Sequence, residues 1–318
     1  MDALTVAEVQ VLNNLSDVRD PSVNLGNKVQ SIITALPKSG TPVNAVNAVE
    51  TLTLTGVVID SEKIIIGDDL YEFVADDAQS VSAPGNIPID ITSYADKAAG
   101  TLTLPTQPTS GDTMTIGTKV YTFVPVGTDT ADGEISIGAD LAEAKGNVTA
   151  AINGTDEFNV AHPLVTASGF INDICALSAI FGGTAGNAIA TTETFAAVGN
   201  VFGATHLESG TNCSAANADG LIISAITEDG TEGVVATQGS GTTVVLTADV
   251  PGEGANDLVL NTQMANGSWG SGHLAGGVNG TVGDVGTVLV DATYLYVAVA
   301  ANTIEGKNWR RISVGSAY

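Results

Sequence analysis

Two short alternations set the pattern of this chain. In Thr113–Ile116 and Lys119–Val124 polar and apolar residues alternate, and most are Thr, Val, Tyr or Phe. A period of two carried by β-branched and aromatic side chains predicts two strands. Gly117-Thr118 between them predicts a tight turn, and therefore a hairpin. The period then changes. Across Asp140–Asn153, Leu141, Ala144, Val148, Ala151 and Ile152 recur at three- and four-residue steps. That spacing predicts a short amphipathic helix, with Asp140 as N-cap and Asn153-Gly154 as its stop. Strand-like runs follow at Leu164–Ala167, Ile174–Ser178 and Ile189–Phe195. The order hairpin, helix, strands predicts a small α+β unit with one helix on a mainly antiparallel sheet.

The same text recurs on both sides. Upstream, Thr51-Leu-Thr-Leu54 matches Thr101-Leu-Thr-Leu104. Ile64-Ile-Ile-Gly67 and Tyr71-Glu-Phe-Val74 match Met114-Thr-Ile-Gly117 and Tyr121-Thr-Phe-Val124, and Gly85-Asn-Ile-Pro-Ile89 matches Gly133-Glu-Ile-Ser-Ile137. Downstream, Cys213–Ile226 resembles Ala139–Ile152. Ala255-Asn256, Met264-Ala265 and His273-Leu274 resemble Gly186-Asn187, Phe195-Ala196 and His206-Leu207. The chain thus holds one complete copy, a front half before it and a back half after it. Either the halves complete each other around the intact copy, giving two related units, or these are tandem repeats that have lost pieces. Thr242–Thr247 is the clearest strand in the back half.

The ends depart from the repeat. Thr5-Val-Ala-Glu8 has capping-box form ahead of a short helix. Leu25, Val29, Ile32 and Leu36 fall at spacings of four, three and four, a heptad-like stripe ended by Pro37. So short a stripe is not stable alone. It is expected to oligomerise or anchor the chain, the alternative being a helix that packs on its own domain. Val288–Val290, Tyr294–Val299 and Trp309–Ser313 predict a three-stranded meander too small to bury itself. The expected fold class is mainly β with α+β modules: N-terminal short helices, two related helix-on-antiparallel-sheet units and a C-terminal β meander. The expected segments are an N-terminal helical anchor at 1–36, a linker at 37–49 and a front half-module at 50–96. A complete module at 97–211, a back half-module at 212–280 and a C-terminal β segment at 281–318 follow.

Composition narrows the function. A net charge of −25 argues against nucleic acid, which needs clustered Lys and Arg, and against docking on anionic membranes. No Lys or Arg occurs between Lys145 and Lys307. Such a surface repels its neighbours and keeps crowded copies apart. Then three of the ten basic residues, Lys307, Arg310 and Arg311, fall within five positions beside Trp309. This cationic, aromatic end suits the acidic surface of a neighbouring chain, or is an ordinary salt-bridged strand end. Tyr294, Tyr296, Trp309, Arg310 and Arg311 are the expected inter-chain contacts.

Catalytic and metal chemistry find little to use. His162, His206 and His273 lie at no ligand spacing from cysteines or carboxylates. Asp129, Asp132 and Glu134, and Asp68, Asp69, Asp76 and Asp77, read as solvated turn carboxylates without EF-hand spacing. Cys175 and Cys213 form no CxxC and read as buried small residues. Gly239-Ser-Gly241 precedes a strand and is no dinucleotide loop. No catalytic residue, cofactor or metal is expected, nor an enzyme. The N-terminus lacks the features of a secretory signal, and no window is long and apolar enough to span a bilayer.

Two stretches resemble a family. GDTMTIGTKVYTFV with the following Ala-rich segment and AAINGT is similar to a repeat module of tailed-bacteriophage virion proteins. GTVLVDATYLYVAVAANTIEGKNWRRISV resembles the segment that closes many phage fibre and decoration proteins. The resemblance implies an N-terminal part attached to the particle, projecting β-rich domains and trimeric chains. The expectation is therefore a structural virion protein, a head fibre or capsid decoration protein. Its expected partners are copies of itself in a homotrimer and a major capsid or other virion protein. The alternative is a tail fibre or tail-associated adhesin binding a host-surface glycan through exposed aromatics such as Trp269 or Tyr318.

Overall fold

The computed structural model describes residues 38–231, 233–284, 286–290 and 294–313. The stripe Leu25, Val29, Ile32 and Leu36 lies outside the described residues, as does Tyr318. The fold is mainly β. In chain order, β1 (Lys38–Ser39) is followed by β2 (Val49–Leu54), β3 (Lys63–Ile66), β4 (Asp69–Val74) and β5 (Ile87–Asp90). The complete module supplies β6 (Lys97–Thr103), β7 (Thr113–Ile116), β8 (Lys119–Val124), β9 (Glu134–Ser136) and helix α1 (Leu141–Asn153). It continues with β10 (Val165–Ala167), β11 (Ile174–Gly182), β12 (Thr191–Glu193) and β13 (Val201–Phe202). Helix α2 (Ala215–Asp229), β14 (Val234–Gln238), β15 (Thr243–Ala248), β16 (Leu260–Thr262) and β17 (Gly267–Trp269) follow, and then β18 (Val288–Val290), β19 (Tyr294–Ala298) and β20 (Trp309–Ser313). The chain divides into two compact units. Among the described residues, one holds 51–246 and 259–272; the other holds 38–50, 247–258 and those from 273 to 313.

The complete module has two four-stranded sheets, ordered β10-β11-β6-β13 and β12-β7-β8-β9. The halves on either side form the same pair between them, ordered β14-β15-β2-β17 and β16-β3-β4-β5. Front strands thus pair with back strands far along the chain: Leu260 lies opposite Ile66, and Gly267 opposite Leu54. One related unit is therefore split around the other. The hairpins coincide, with Ile116 opposite Lys119 and Ile66 opposite Asp69. Gly117 and Gly67 both turn at φ 59°, a conformation that glycine reaches without Cβ strain.

The cores coincide too. Leu52, Leu54, Ile64, Ile66, Tyr71 and Phe73 are buried in the split module, as Leu102, Leu104, Met114, Ile116, Tyr121 and Phe123 are in the continuous one. Helix α1 is capped where its sequence requires. Asp140 accepts from the Glu143 amide, and Gly154 closes the helix in the left-handed region. Ala144, Val148, Ala151 and Ile152 are buried, and the last three join a core shared with residues of both sheets. Ala218, Ile222 and Ile226 of α2 are buried likewise, and α2 ends on Gly230 in the same left-handed conformation.

The insertion is closed at its base. Thr211 donates its amide to the Asp96 carbonyl at 3.1 Å, and its hydroxyl bonds the Asp96 carboxylate at 2.8 Å. The chain therefore leaves the split module and returns to it at nearly one point.

Two features differ from the sequence expectation. Each module carries two sheets rather than one, and β9 and β5 run parallel to β8 and β4. Alternation reports which face a residue takes but carries no strand direction; here the loops after β8 and β4 bring the chain back before it resumes. The second difference is register. Phe73 faces Ile89, and Phe123 faces Ile135. Ile89, rather than Ile87, is thus the counterpart of Ile135, because the loop after β4 is longer than the loop after β8.

The other unit contains a sheet ordered β1-β18-β19-β20, with β1 parallel to β18. Of the described side chains on β18–β20, only Ala298 and Trp309 are buried.

Candidate functional site

The C-terminal sheet gathers most of the residues expected at an inter-chain contact. Tyr294 and Tyr296 stand two apart on β19, hence on one face. Their rings meet edge to face, with centroids 6.1 Å apart. Arg311, opposite Tyr296 on β20, lays its guanidinium 4.8 Å from the Tyr294 ring centroid. This cation–π packing leaves the Arg311 charge exposed. Arg310 is also exposed and donates to the carbonyls of Lys307 and Trp309. Lys307 bonds the Asn47 amide oxygen at 2.6 Å.

Trp309 corrects the expectation. It is buried in its own unit, its indole N–H donates to the Thr281 carbonyl at 2.7 Å, and its amide donates to Asn44. An apolar ring with one satisfied donor belongs to the interior, so Trp309 offers no face to another chain. The meander buries Ala298 and Trp309, Trp309 against Asn44 and Thr281 outside it, so the meander packs on its own chain.

Two concavities lie in the larger unit. One, of about 440 Å³, runs between Ile59-Asp60 and the segment Phe181–Gly186, with Leu164 and Asn212 on its walls. The other, of about 570 Å³, lies between β5 and α2 and is lined by Ile87–Asp90, Leu221, Ala225, Glu228 and Asp229. Trp269 lines neither concavity; its indole N–H donates to the Asn261 carbonyl.

The titratable groups serve the fold. His162 is buried, with Nε2 donating to the Ile116 carbonyl at 3.0 Å and Nδ1 accepting from the Leu164 amide at 3.1 Å. Both ring nitrogens are thereby used by the neutral form. Burial, with the Lys119 charge nearby, holds its pKa below the usual histidine value. Asp132 pairs with Lys119 at 2.7 Å, and Glu134 accepts from the amides of Thr130 and Ala131. Asp76 accepts from the Ser80 amide, and Asp77 pairs with Lys97 at 2.8 Å. Asp76 and Glu134 are thus turn caps, and Asp77 and Asp132 ion-pair partners. Burial pushes both thiols, Cys175 and Cys213, up to about 11, so neither is a thiolate at neutral pH. Among the described residues no group of three His, Cys, Asp or Glu is placed to hold a metal ion.

What sequence reasoning missed is a polar corner that recurs. In the continuous module Asn187 exchanges two hydrogen bonds with the Gly210 backbone, and Asn212 accepts from the Thr184 amide. Asn256 does the same with Gly277, and Asn279 with the Glu253 amide. A Cβ on Gly210 would run into the Gly183 carbonyl, and one on Gly277 into the Gly252 carbonyl. The signal was present as the paired Gly186-Asn187 and Ala255-Asn256, but nothing in the spacing said that these side chains bind backbone.

Comparison of the chain with protein-family models, with curated proteins and with solved structures finds no match.

Proposed function

We propose that this chain is a structural protein of a tailed-phage particle, a head fibre or capsid decoration protein, without enzymatic activity. The observation that carries the reading is the C-terminal segment. The residues that resemble the closing segment of phage fibre and decoration proteins pair as one sheet, Tyr294–Ala298 against Trp309–Ser313. Two further features support it. The chain repeats one β-rich module, which builds projecting length from a single design. Its four module lysines are each paired with a carboxylate, so the projecting surface is acidic and keeps neighbouring copies apart. In this reading residues 1–36, with the stripe Leu25, Val29, Ile32 and Leu36, attach the chain to the particle and to its partner copies in a trimer.

The test is direct. Particles purified from the producing host are analysed by mass spectrometry, and the protein is located by antibody labelling in electron micrographs. Stoichiometric presence on heads is expected, with loss on deletion of residues 1–36. Absence from purified particles overturns the proposal, and labelling confined to tails favours the adhesin reading.

A further inference from the structure

The two modules differ at one loop. In the continuous module the loop between Phe195 and Val201 has five residues, 196–200. Its counterpart between Met264 and Ser268 has three, 265–267, since Ser268 faces Thr53 as Val201 faces Thr103. The longer loop carries Val198 into solvent at 97% exposure, the highest of any large hydrophobic side chain among the described residues. The loop is also fixed. The Ala196 amide donates to the Asp112 carboxylate at 3.0 Å, and the Asn200 side chain accepts from the Thr106 amide at 3.2 Å. A knob fixed before contact loses little freedom on making one.

The concavity of about 440 Å³ has the matching character. Ile59, Leu164 and Phe181 line it, and all three are exposed. Of its lining residues only Asp60 is charged, and that carboxylate already accepts from the Ala75 amide and the Ser61 hydroxyl. Knob and pocket stand at opposite ends of the β7–β8 hairpin. Asp112, which holds Ala196, directly precedes β7. At the turn, a Cβ on Gly117 would lie 3.9 Å from Leu164 and 4.0 Å from Ile189, both in the pocket wall. A chain therefore cannot fill its own pocket with its own Val198.

We propose that Val198 of one copy of this chain enters the pocket between Ile59 and Phe181 of a second copy. The argument for that occupant is charge. At −25 the copies repel one another, so they can touch only where carboxylates are missing. Thr194–Thr205, which carries the knob, has no charged residue. Neither has Ile174–Thr192, which supplies most of the pocket wall. A lone valine entering a pocket walled by leucine and phenylalanine can link molecules head to tail, because knob and pocket are different surfaces. The split module, whose shorter loop has no counterpart of Val198, offers no second knob. A contact this small gives weak association that shows only at high concentration.

The inference concerns the purified full chain and does not depend on particle attachment. The test is sedimentation velocity from micromolar to hundreds of micromolar, at low and at high salt. Any oligomer held by residues 1–36 persists in every variant, so the readout is growth with concentration above it. Wild type should grow, and more so at high salt, which screens the repulsion between copies. Val198→Asp charges the knob and should weaken association about tenfold or more, as should Leu164→Asp in the pocket. Ala185→Trp, which fills the pocket without charging it, should do the same. All three side chains are exposed, so circular dichroism should match wild type. Mixing the Val198→Asp chain with the Leu164→Asp chain sets an intact knob against an intact pocket and should restore association. A wild type that does not grow overturns the proposal, as do variants that grow like wild type or a mixture that fails to associate.

Discussion

The continuous and the split module have the same strands, the same sheet orders and matching cores, yet their chains reach them by different routes. In the continuous module Thr103 meets Val201; in the split one Leu54 meets Gly267, at more than twice the separation. Were the intervening chain a free loop, that doubling would cost only about 0.6 kcal/mol. It is not a free loop, because Asp96 and Thr211 clasp the two ends of the insert. A folded insert therefore acts as a short link between β5 and α2, and an unfolded one restores the long loop. The difference between the modules is one of dependence: the split module relies on the continuous one.

The largest expected effect tests that dependence. Phe123→Ala and Phe73→Ala each empty a fully buried site and should cost about 3–5 kcal/mol. Amide hydrogen exchange should show Phe123→Ala lowering protection in both modules and Phe73→Ala lowering it mainly in the split one. Equal loss in both modules for both variants would remove the asymmetry.

How much of this could be read from the chain follows the same division. Within the continuous module the hairpin, the helix and its Asp140 cap were legible, because each is a local pattern of period, cap and turn. Thr243–Ala248 was legible for the same reason. The two-sheet arrangement was not, since which strands become neighbours depends on pairings such as Leu260 with Ile66 across the whole insert. The parallel edges were not, because Glu-Ile-Ser alternates identically in either direction. The apparent match of Ile87 to Ile135 failed because one-letter similarity ignores loop length, whereas register obeys the ladder. At the C-terminus Trp309 read as a surface aromatic because its neighbours are Arg310 and Arg311; only the fold shows that alternation turns it inward. Side-chain hydrogen bonds to backbone such as those of Asn187 and His162 leave no periodic trace.

Next in size are acid-sensitive groups, of which His162 and Glu72 give one test for each module. His162 belongs to the continuous module, and burial lowers its pKa from the ordinary 6.5. The unfolded chain takes up that proton more readily, so stability is full above pH 6.5 and is lost as pH falls below it. Glu72 belongs to the split module, where the continuous one has Thr122. Burial alone would raise its pKa, but Asn86, the Ser82 amide and hydroxyl and Lys63 together hold it below 4.5. Its contribution is full above pH 4.5 and is lost as pH falls further. Exchange followed by pH should show the continuous module weakening first, from pH 6.5. The upper step should vanish in His162→Gln, and the lower one should shrink in Glu72→Gln, the remainder coming from Asp90 and Asp132, whose hydrogen bonds also hold them below the usual aspartate value. A single step shared by both modules would contradict the assignment.

A smaller effect should be the same in both. Gly67→Ala and Gly117→Ala each force a Cβ into the left-handed region at φ 59°, a cost of about 1–2 kcal/mol. Thermal denaturation should rank them together. A large gap between them would mean that the hairpins are less alike than their registers.

The smallest effect separates the modules by one hydroxyl. Tyr71 and Tyr121 occupy the same position, and both are fully buried. The Tyr71 hydroxyl bonds the carboxylate of Asp229, the last residue of α2, and the hydroxyl of Thr231 just beyond it. Burial and the nearby Asp229 charge push its pKa up to about 12, so it stays protonated and donates. The Tyr121 hydroxyl has no partner among the described residues. Removing a satisfied hydroxyl loses a hydrogen bond and leaves its partner short, whereas removing an unsatisfied one relieves a buried polar group. Tyr71→Phe should therefore destabilise by about 1 kcal/mol, and Tyr121→Phe should be neutral or slightly stabilising. Urea denaturation of the two variants side by side reads the difference. Equal losses would mean that the Tyr121 hydroxyl holds an ordered water, and that the split module gained nothing at this position from the longer route its chain takes.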